Sequence, residues 1–370
     1  VVSLRVPLRA ERDDSYDILI DRALLIGLPE LLAARCPAAR YALISDSHVA
    51  KLYGESLAGA LRAAGMAVEL LTFPAGEWNK TRATWAALCD RMLAASFGRD
   101  SAVVALGGGV TGDVAGFVAA TYHRGIPWVQ VPTTLLAMID SSIGGKTGVD
   151  TAQGKNLLGA FHQPRLVVAD LDVLGSLAGA QLAAGMAEAI KHAAVSDADY
   201  FAEIEQVAVP VTGDAAVLER VVARSVEIKA EVVSADEREQ GRRAVLNFGH
   251  TVGHALEVTG GYALLHGEAV AIGMVVEAGL AEALQIAEPG TARRIATALQ
   301  HHQLPIKIPE GTATDSLIAA MRHDKKTRDG ALRFALPRRI GLMHRDAGNG
   351  WTVAVPEALV RQRVEAPAAD

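Results

Sequence analysis

Arg243, Asn247, His250 and His254 recur at steps of four, three and four residues, the spacing that lines side chains along one face of a helix. An exposed helical stripe ordinarily mixes Lys with Glu. This one offers a guanidinium, an amide and two imidazoles, and a further imidazole, His266, follows twelve residues later before Gly267 and Glu268. Such groups suit a metal ion and an anionic ligand. His250 and His254 have the H-x-x-x-H spacing that chelates zinc from one helical turn, but the residues between them are Thr-Val-Gly, without the glutamate of the zinc peptidases. A structural histidine pair is the alternative, and two histidines with a carboxylate would suffice for a catalytic metal that keeps an open position.

A second group is cationic. Lys146 and Lys155 stand in what read as glycine-rich loops, Ser-Ser-Ile-Gly-Gly-Lys146 and Gly154-Lys155-Asn156, and Lys191, Lys229, Arg243 and the pair Lys325-Lys326 add to them. Each lysine alone reads as solvated, but together they form a candidate cluster for phosphate or carboxylate. Glu188 and Lys191 lie three apart on one helical face, and that fragment alone favours a surface ion pair over a site pair.

A third signal is Gly107-Gly108-Gly109-Val110-Thr111-Gly112-Asp113, a G-x-G-x-x-G run between a β-rich segment and a helical one. Backbone amides at such a turn can meet a pyrophosphate where any Cβ would hold it away. The acid of the standard dinucleotide fingerprint should follow some twenty positions later, yet no Asp or Glu occurs between Asp113 and Asp140. Asp46, at the end of an earlier strand, and Glu77 are the alternative partners for ribose hydroxyls. Thr133 and Thr134 end the next strand, with hydroxyls placed for the nicotinamide side of such a site.

Alternating short β-rich and helical runs must position these residues. Residues 41–45, 68–73, 102–106, 128–131 and 166–169 read as strands, with helices between the first four. This is the pattern of a parallel α/β sheet, and it predicts a first domain over 1–178. From 179 to 370 a mostly helical domain follows, with helices near 181–195, 214–233, 245–258, 267–285, 290–302 and 314–322. The face carrying Val245, Phe248, Val252, Ala255 and Leu256 has the apolar spacing to pack the 245–258 helix into a core. A hairpin is expected from 331–336 and 340–344 around the turn Pro337-Arg338-Arg339, and disorder after Ala366.

Half of the 370 residues are apolar, few are aromatic, and the net charge is −6. A globular protein follows, and a nucleic-acid-binding surface is disfavoured. An anionic substrate would have to be drawn by a local cationic cluster against the overall field. Cys36 and Cys89 lie in unrelated segments without metal-ligand spacing, which suggests reduced thiols in a cytoplasmic protein. No stretch is long and apolar enough to span a membrane, and the first twenty residues do not read as a signal peptide.

Over nearly its whole length the chain resembles the 3-dehydroquinate synthase family of sugar phosphate cyclases. The resemblance is carried by GGGVTGDVAGFVAATYHRG at 107–125, VPTTLLAMIDSSIGGKTGVD at 131–150, GKNLLGAFHQP at 154–164, GMAEAIKH at 185–192, KAEVVSADE at 229–237, LNFGHTVGHALE at 246–257, HGEAV at 266–270 and DKKTRDG at 324–330. It implies a Rossmann-like NAD domain followed by a metal- and substrate-binding domain. The implied reaction converts 3-deoxy-D-arabino-heptulosonate 7-phosphate into 3-dehydroquinate and phosphate, with NAD oxidising and then re-reducing the substrate. By the same resemblance Glu188, His250 and His266 bind the metal, zinc or cobalt, and His254 passes from the metal to the substrate. NAD falls to Asp46, Glu77, Lys80, Gly108, Gly109, Asp113, Thr133, Thr134 and Asp140, with Lys146, Lys155 and Ser176 beside it. The substrate falls to Lys146, Lys155, Asn156, Lys191, Lys229, Arg243, Asn247, His254 and one of Lys325 or Lys326. Arg124 matches an arginine that reaches a neighbouring subunit's phosphate, which implies a homodimer. The segment 174–178 departs from the family's usual Thr-Leu-Pro run, and His192 stands where tyrosine is common.

Overall fold

Alternation along the strands decides the first layer of structure. In β2 (Arg40–Asp46) and β4 (Ser101–Gly107), Tyr41, Leu43, Ala102, Val104 and Leu106 enter one apolar cluster, while Ala42, Ile44, Val103 and Ala105 enter another on the opposite face. That period of two is the geometry of an extended chain. All of β4 is buried, as expected of a parallel sheet covered on both faces. The computed structural model describes residues 13–261, 263–323, 331–346, 348 and 350–365. Lys325, Lys326 and the tail from Ala366 lie outside the described residues.

With β1 (Asp17–Asp21), β3 (Val68–Phe73), β5 (Trp128–Pro132) and β8 (Leu166–Asp170), these strands form a six-stranded sheet in the order β1-β8-β5-β4-β2-β3. Every pairing in it is parallel. The strand β1 was not legible in the sequence; it closes the edge beside β8. The chain leaves β2 toward β3 and leaves β4 toward β5, on opposite sides, so the connections diverge between the adjacent strands β2 and β4. Ligands of open α/β sheets bind in the crevice at such a divergence.

Lys146 and Lys155 do not lie in glycine-rich loops as the sequence suggests. They open two strands, β6 (Lys146–Thr151) and β7 (Gly154–Phe161), which pair as an antiparallel ribbon. Gly148 and Gly159 face one another there, and a Cβ on either would run into the opposite backbone. Glycine therefore marks close strand contact here, a signal that resembles a loop when read as composition.

Beyond β8 the structure is mainly helical. Segment 135–143 leaves the sheet and packs through Leu135, Met138, Ile139 and Ile143 into the helical core, beside Met186 and Ile190 of the helix Gly179–Ser196 and Val222 and Val226 of the helix Ala215–Ala235. The helix expected over 245–258 is broken. A tight turn over Arg242–Asn247 ends at Phe248, Gly249 adopts φ of +80°, and a helix begins afresh at His250 and runs to Thr259. Arg243 and Asn247 therefore do not share a helical face with His250 and His254. The expected hairpin also differs: Pro337–Arg339 is a strand paired with Leu342–Met343, while Leu332–Phe334 pairs with Val353–Val355. The turn lies at Ile340-Gly341, where Gly341 has φ of +80°. Among the described residues no helix is long and apolar enough to cross a membrane, and Cys36 and Cys89 are free thiols.

The helices His250–Thr259 and His266–Ala283 meet backbone to backbone. A Cβ on Gly273 would overlap the Gly249 carbonyl oxygen, and one on Gly267 would overlap that of Ala184 in the helix Gly179–Ser196. Gly273→Ala is thus expected to force the helices apart and cost about 1–3 kcal/mol, the usual range for overpacking. Denaturant unfolding measures this, and a midpoint equal to the parent's would contradict the close contact.

Candidate active site

Three elements converge on one carboxylate. Glu188, in the middle of the helix Gly179–Ser196, is 0 % exposed. Its Oε1 lies 3.6 Å from His250 Nε2 and 3.4 Å from His266 Nε2, and Lys191 forms an ion pair with Oε2. The sequence fragment favoured a surface pair for Glu188 and Lys191, but both are buried, because the helix is enclosed on all sides. Burial opposes ionisation of Glu188, yet the Lys191 ammonium and the His266 imidazole together hold the carboxyl below its ordinary value. Neither carboxylate oxygen of Glu188 accepts a hydrogen bond of regular geometry, so the buried charge rests on the Lys191 pair and the two nearby imidazoles. The two imidazoles and this carboxylate place ligand atoms within 4.8 Å of one another. A mixed nitrogen and oxygen set of this kind fits a divalent cation.

His254 lies beside this cluster, with its ring 5.1 Å from that of His250 and 6.1 Å from that of His266. It belongs to a second possible group with Glu257 and His266, and a third joins Asp140, Glu188 and His192. In the third group lysines already supply positive charge, since Lys229 Nζ donates to Asp140 Oδ1 and to its carbonyl oxygen, both at 2.5 Å. Burial opposes ionisation of Asp140, but Lys229 and then Lys191 hold its carboxyl well below the carboxylate range. Burial pushes the Lys229 ammonium down to about 8 against the opposing pull of Asp140. His192 is fully buried, and burial lowers its pKa.

Arg243 is buried with its guanidinium against Gly144, donates from Nη1 to the Glu237 carbonyl at 2.5 Å and receives its own backbone support from Asp236. Asn247 Nδ2 donates to Glu239 Oε1 at 2.6 Å, and Lys146 pairs with the other Glu239 oxygen. Lys155 Nζ is 3.1 Å from both Glu77 Oε1 and Glu257 Oε1. Asn156 has φ of +53°, and its backbone N–H donates to Asp150 Oδ1 at 2.8 Å.

On the sheet side, β2 and β4 run in register with Ser45 opposite Leu106, which brings Asp46 level with the glycine turn. Thr111 Oγ1 donates to Asp46 Oδ2 at 3.2 Å. An acid thus stands beside the glycine turn on the neighbouring strand that precedes it in the chain. The helix Gly109–Thr121 starts at Gly108 with no side-chain cap and no acid in its first turn, so its first amides and dipole favour an anion. A Cβ on Gly108 would meet Thr134 at 3.2 Å, one on Gly109 would meet Ser141 at 3.1 Å, and one on Gly112 would overlap Gln130 of β5. The hydroxyls of Thr133 and Ser141 are buried without a partner. Open amides, unpartnered hydroxyls and a flanking acid fit a dinucleotide. Lys80 Nζ pairs with Asp113 Oδ2 at 2.5 Å, and although burial disfavours its charge, Asp113 and Glu77 keep it protonated. Ser176 Oγ accepts from Tyr53 Oη at 2.7 Å and donates to the Val173 carbonyl at 3.0 Å, so this hydroxyl ties the 174–178 turn to the sheet's helices.

Segment 133–141 joins the halves: Thr134 and Ser141 border the glycine turn while Asp140 reaches the Glu188 group. Lys155 joins them again, between Glu77 and Glu257. Arg124 is exposed, with φ of +71°, and borders a surface hollow of about 380 Å³ with Phe161, Gln163 and Arg165 that includes none of the metal-site residues.

Sequence reasoning missed Glu239, Glu257 and Glu277. Glu257 follows His254 by three positions on the same helix, a spacing that was available. Glu277 had no such signal. Fully buried in the helix His266–Ala283, it accepts from Gly249 N at 2.7 Å and Val252 N at 3.2 Å, and so sets where the helix bearing His250 begins.

Residues 70–184 match the family model of the 3-dehydroquinate synthase N-terminal part, and residues 185–327 match that of its C-terminal part. A curated relative from Symbiobacterium thermophilum, 3-dehydroquinate synthase, is 52% identical over 332 residues, covering 89% of this chain and 93% of its own length. A solved structure of 2-deoxy-scyllo-inosose synthase with carbaglucose-6-phosphate, NAD+ and Co2+ is similar with a TM-score of 0.87 at 29% identity, covering 94% of this chain and 96% of the other. ValA, a 2-epi-5-epi-valiolone synthase from Streptomyces hygroscopicus subsp. jinggangensis 5008 solved with NAD+ and Zn2+, is similar with a TM-score of 0.87 at 30% identity over 97% of this chain and 98% of its own.

If Glu277 defines the start of the His250 helix, Glu277→Leu should leave two buried amides without acceptors, at roughly 1–3 kcal/mol each. Unfolding free energy and amide exchange at Gly249 and Val252 measure the effect. Protection equal to the parent's at both amides would show that another group caps this helix.

Proposed function

The chain belongs to the 3-dehydroquinate synthase family, and on that premise we propose that its cleft converts 3-deoxy-D-arabino-heptulosonate 7-phosphate into 3-dehydroquinate and inorganic phosphate, as an NAD- and divalent-metal-dependent carbon–oxygen lyase. The observation that carries this reading is the buried Glu188 facing His250 and His266, one segment away from an uncapped glycine turn flanked by Asp46. When bound, NAD would take up and return a hydride, and a cation held by Glu188, His250 and His266 would polarise the reacting hydroxyl.

Everything else falls to the chain's own side chains. Asp46, with Glu77, orients the ribose hydroxyls; Gly108 and Gly109 let backbone amides meet the pyrophosphate; Lys80 with Asp113, Thr133, Thr134 and Asp140 line the rest of the cofactor crevice. Lys146, Lys155 and Ser176 border it, the last by shaping the turn after β8. The substrate has a carboxylate at one end and a phosphate at the other. Arg243 and Lys229 take the carboxylate, which suits their burial and their shared neighbourhood with Asp140. Lys146, Asn156 and His254 hold the phosphate, and Lys155, Lys191, Asn247 and one of Lys325 or Lys326 complete the substrate contacts. Positioning of this kind, with charge placed before the reaction, is a major source of rate.

Residues 1–178 act as the NAD-binding part and 179–370 as the metal- and substrate-binding part. The end of the sheet at Asp170 and the start of the helical run at Gly179 support the division. Two copies associate so that Arg124 of one serves the phosphate end of the other, which its exposed position in the turn before β5 allows. The free thiols are consistent with a cytoplasmic enzyme.

Two outcomes follow. Phosphate release from the heptulosonate phosphate should need NAD only in catalytic amount, with no growth of NADH absorbance. A stoichiometric rise in that absorbance would make the chain a dehydrogenase instead. The Lys229 ammonium, with a pKa of about 8, is charged below that pH and neutral above it. Capture of the anionic substrate should therefore weaken as pH rises through about 8, giving kcat/KM an alkaline limb there. Lys229→Arg keeps its charge and should lift the limb. A parental profile that stays flat from about pH 7 to about 9 would argue against Lys229 as a carboxylate partner.

A further inference from the structure

We propose that Glu257 positions His266 for the divalent metal, accepting the proton of Nδ1 so that Nε2 presents a bare lone pair on the Glu188 side. The inference rests on the metal reading of Glu188, His250 and His266.

The helix His250–Thr259 places Glu257 two turns after His250 and one turn after His254, so all three face the start of the helix His266–Ala283. Glu257 is buried, and its Oε1 lies 3.4 Å from His266 Nδ1. The other ring nitrogen, Nε2, lies 3.4 Å from Glu188 Oε1. The imidazole of His266 is thus held between two carboxylates, one at each nitrogen. A ligating imidazole is neutral and carries its single proton on the nitrogen away from the metal. His250 Nε2 also points to Glu188, so the metal side is the Glu188 side and the His266 proton belongs on Nδ1, toward Glu257.

His250 solves the same problem differently. Its Nδ1 is 3.2 Å from the Phe248 carbonyl oxygen, a neutral acceptor fixed by the backbone. Glu257 is a charged acceptor, and a carboxylate behind an imidazole both fixes the ring and raises the basicity of the ligating nitrogen. Of the two histidines, His266 therefore receives the stronger electronic support. Lys155, 3.1 Å away, neutralises Glu257 in turn, which explains how an acid with an unpartnered Oε2 is tolerated in this setting. A rival account has Glu257 merely pairing with Lys155, and metal binding separates the two.

The test uses the full chain, stripped of metal and titrated with Zn2+ against a competing chelator, and with Co2+ followed by its visible absorption bands. Glu257→Gln keeps the shape and one acceptor without the charge; Glu257→Leu removes both. Zinc affinity should fall about tenfold to a hundredfold, more in the leucine variant, with altered cobalt bands, while NAD affinity and the far-ultraviolet circular dichroism stay near the parent's. If the leucine variant does not fold, Glu257→Gln carries the test. Lys155→Met removes the other partner of Glu257 and should leave zinc affinity close to the parent's. A loss in Lys155→Met as large as that in Glu257→Leu would overturn the proposal in favour of a simple ion pair. So would a parent that binds metal alongside Glu257 variants with unchanged affinity and unchanged cobalt bands. A parent that binds no metal at all would instead remove the reading on which the inference stands.

Discussion

A carboxylate with no access to water is the constraint around which the second half of this chain is arranged. Glu188 sits in the interior of a helix with every face covered, and burying an ionised group without compensation costs far more than a single fold can spare. Compensation arrives from three directions: Lys191 one turn along the same helix, His250 from a second helix and His266 from a third. Those helices can reach it only because their backbones touch at Gly267 and Gly273. A second buried carboxylate, Glu277, then holds the amides at the start of the His250 helix. The packing and the polar groups are thus one design, since side chains at the helix contacts would move the imidazoles away from Glu188.

The cleft gathers five lysines in a protein whose net charge is −6, and each of them is neutralised by a carboxylate. Lys80 pairs with Asp113, Lys146 with Glu239, Lys155 with Glu77 and Glu257, Lys191 with Glu188 and Lys229 with Asp140. Such pairing limits the repulsion that a bare lysine cluster would impose on the fold. It also means that an anionic ligand gains affinity by exchanging partners rather than by meeting isolated charges. Buried pairs such as Lys229 with Asp140 respond more strongly to that exchange than exposed ones, because screening by water and salt is weakest there.

The nucleotide side shows how a sheet can reorder a motif. In the familiar arrangement the ribose acid lies downstream of the glycine turn. Here the acidic residue precedes the turn by some sixty positions, yet parallel pairing of β2 with β4 sets Asp46 level with Gly107. The crevice between the diverging connections is the same in both cases. What matters to a dinucleotide is adjacency of strand ends, not their order along the chain.

Much of this was already present in the residues. Short β-rich runs located five of the six sheet strands, because strand propensity is a local property. The residues of the metal group, the lysines and the acids Asp46 and Glu77 could be named from residue type, spacing and family likeness. Other features could not. The apparent polar stripe from Arg243 to His254 is cut at Gly249 by a carboxylate on another helix, and no local pattern announces a cap that arrives from Glu277. The segments around Lys146 and Lys155 read as glycine-rich loops, although both lysines lie in paired strands that Gly148 and Gly159 allow to approach. The ion pair of Glu188 and Lys191 looked superficial because burial is decided by neighbours far along the chain. Sequence alone determined which chemical groups are available and the local periods that carry them; tertiary structure decided which of them are desolvated and which meet, because both depend on distances between segments that the chain brings together only when it packs.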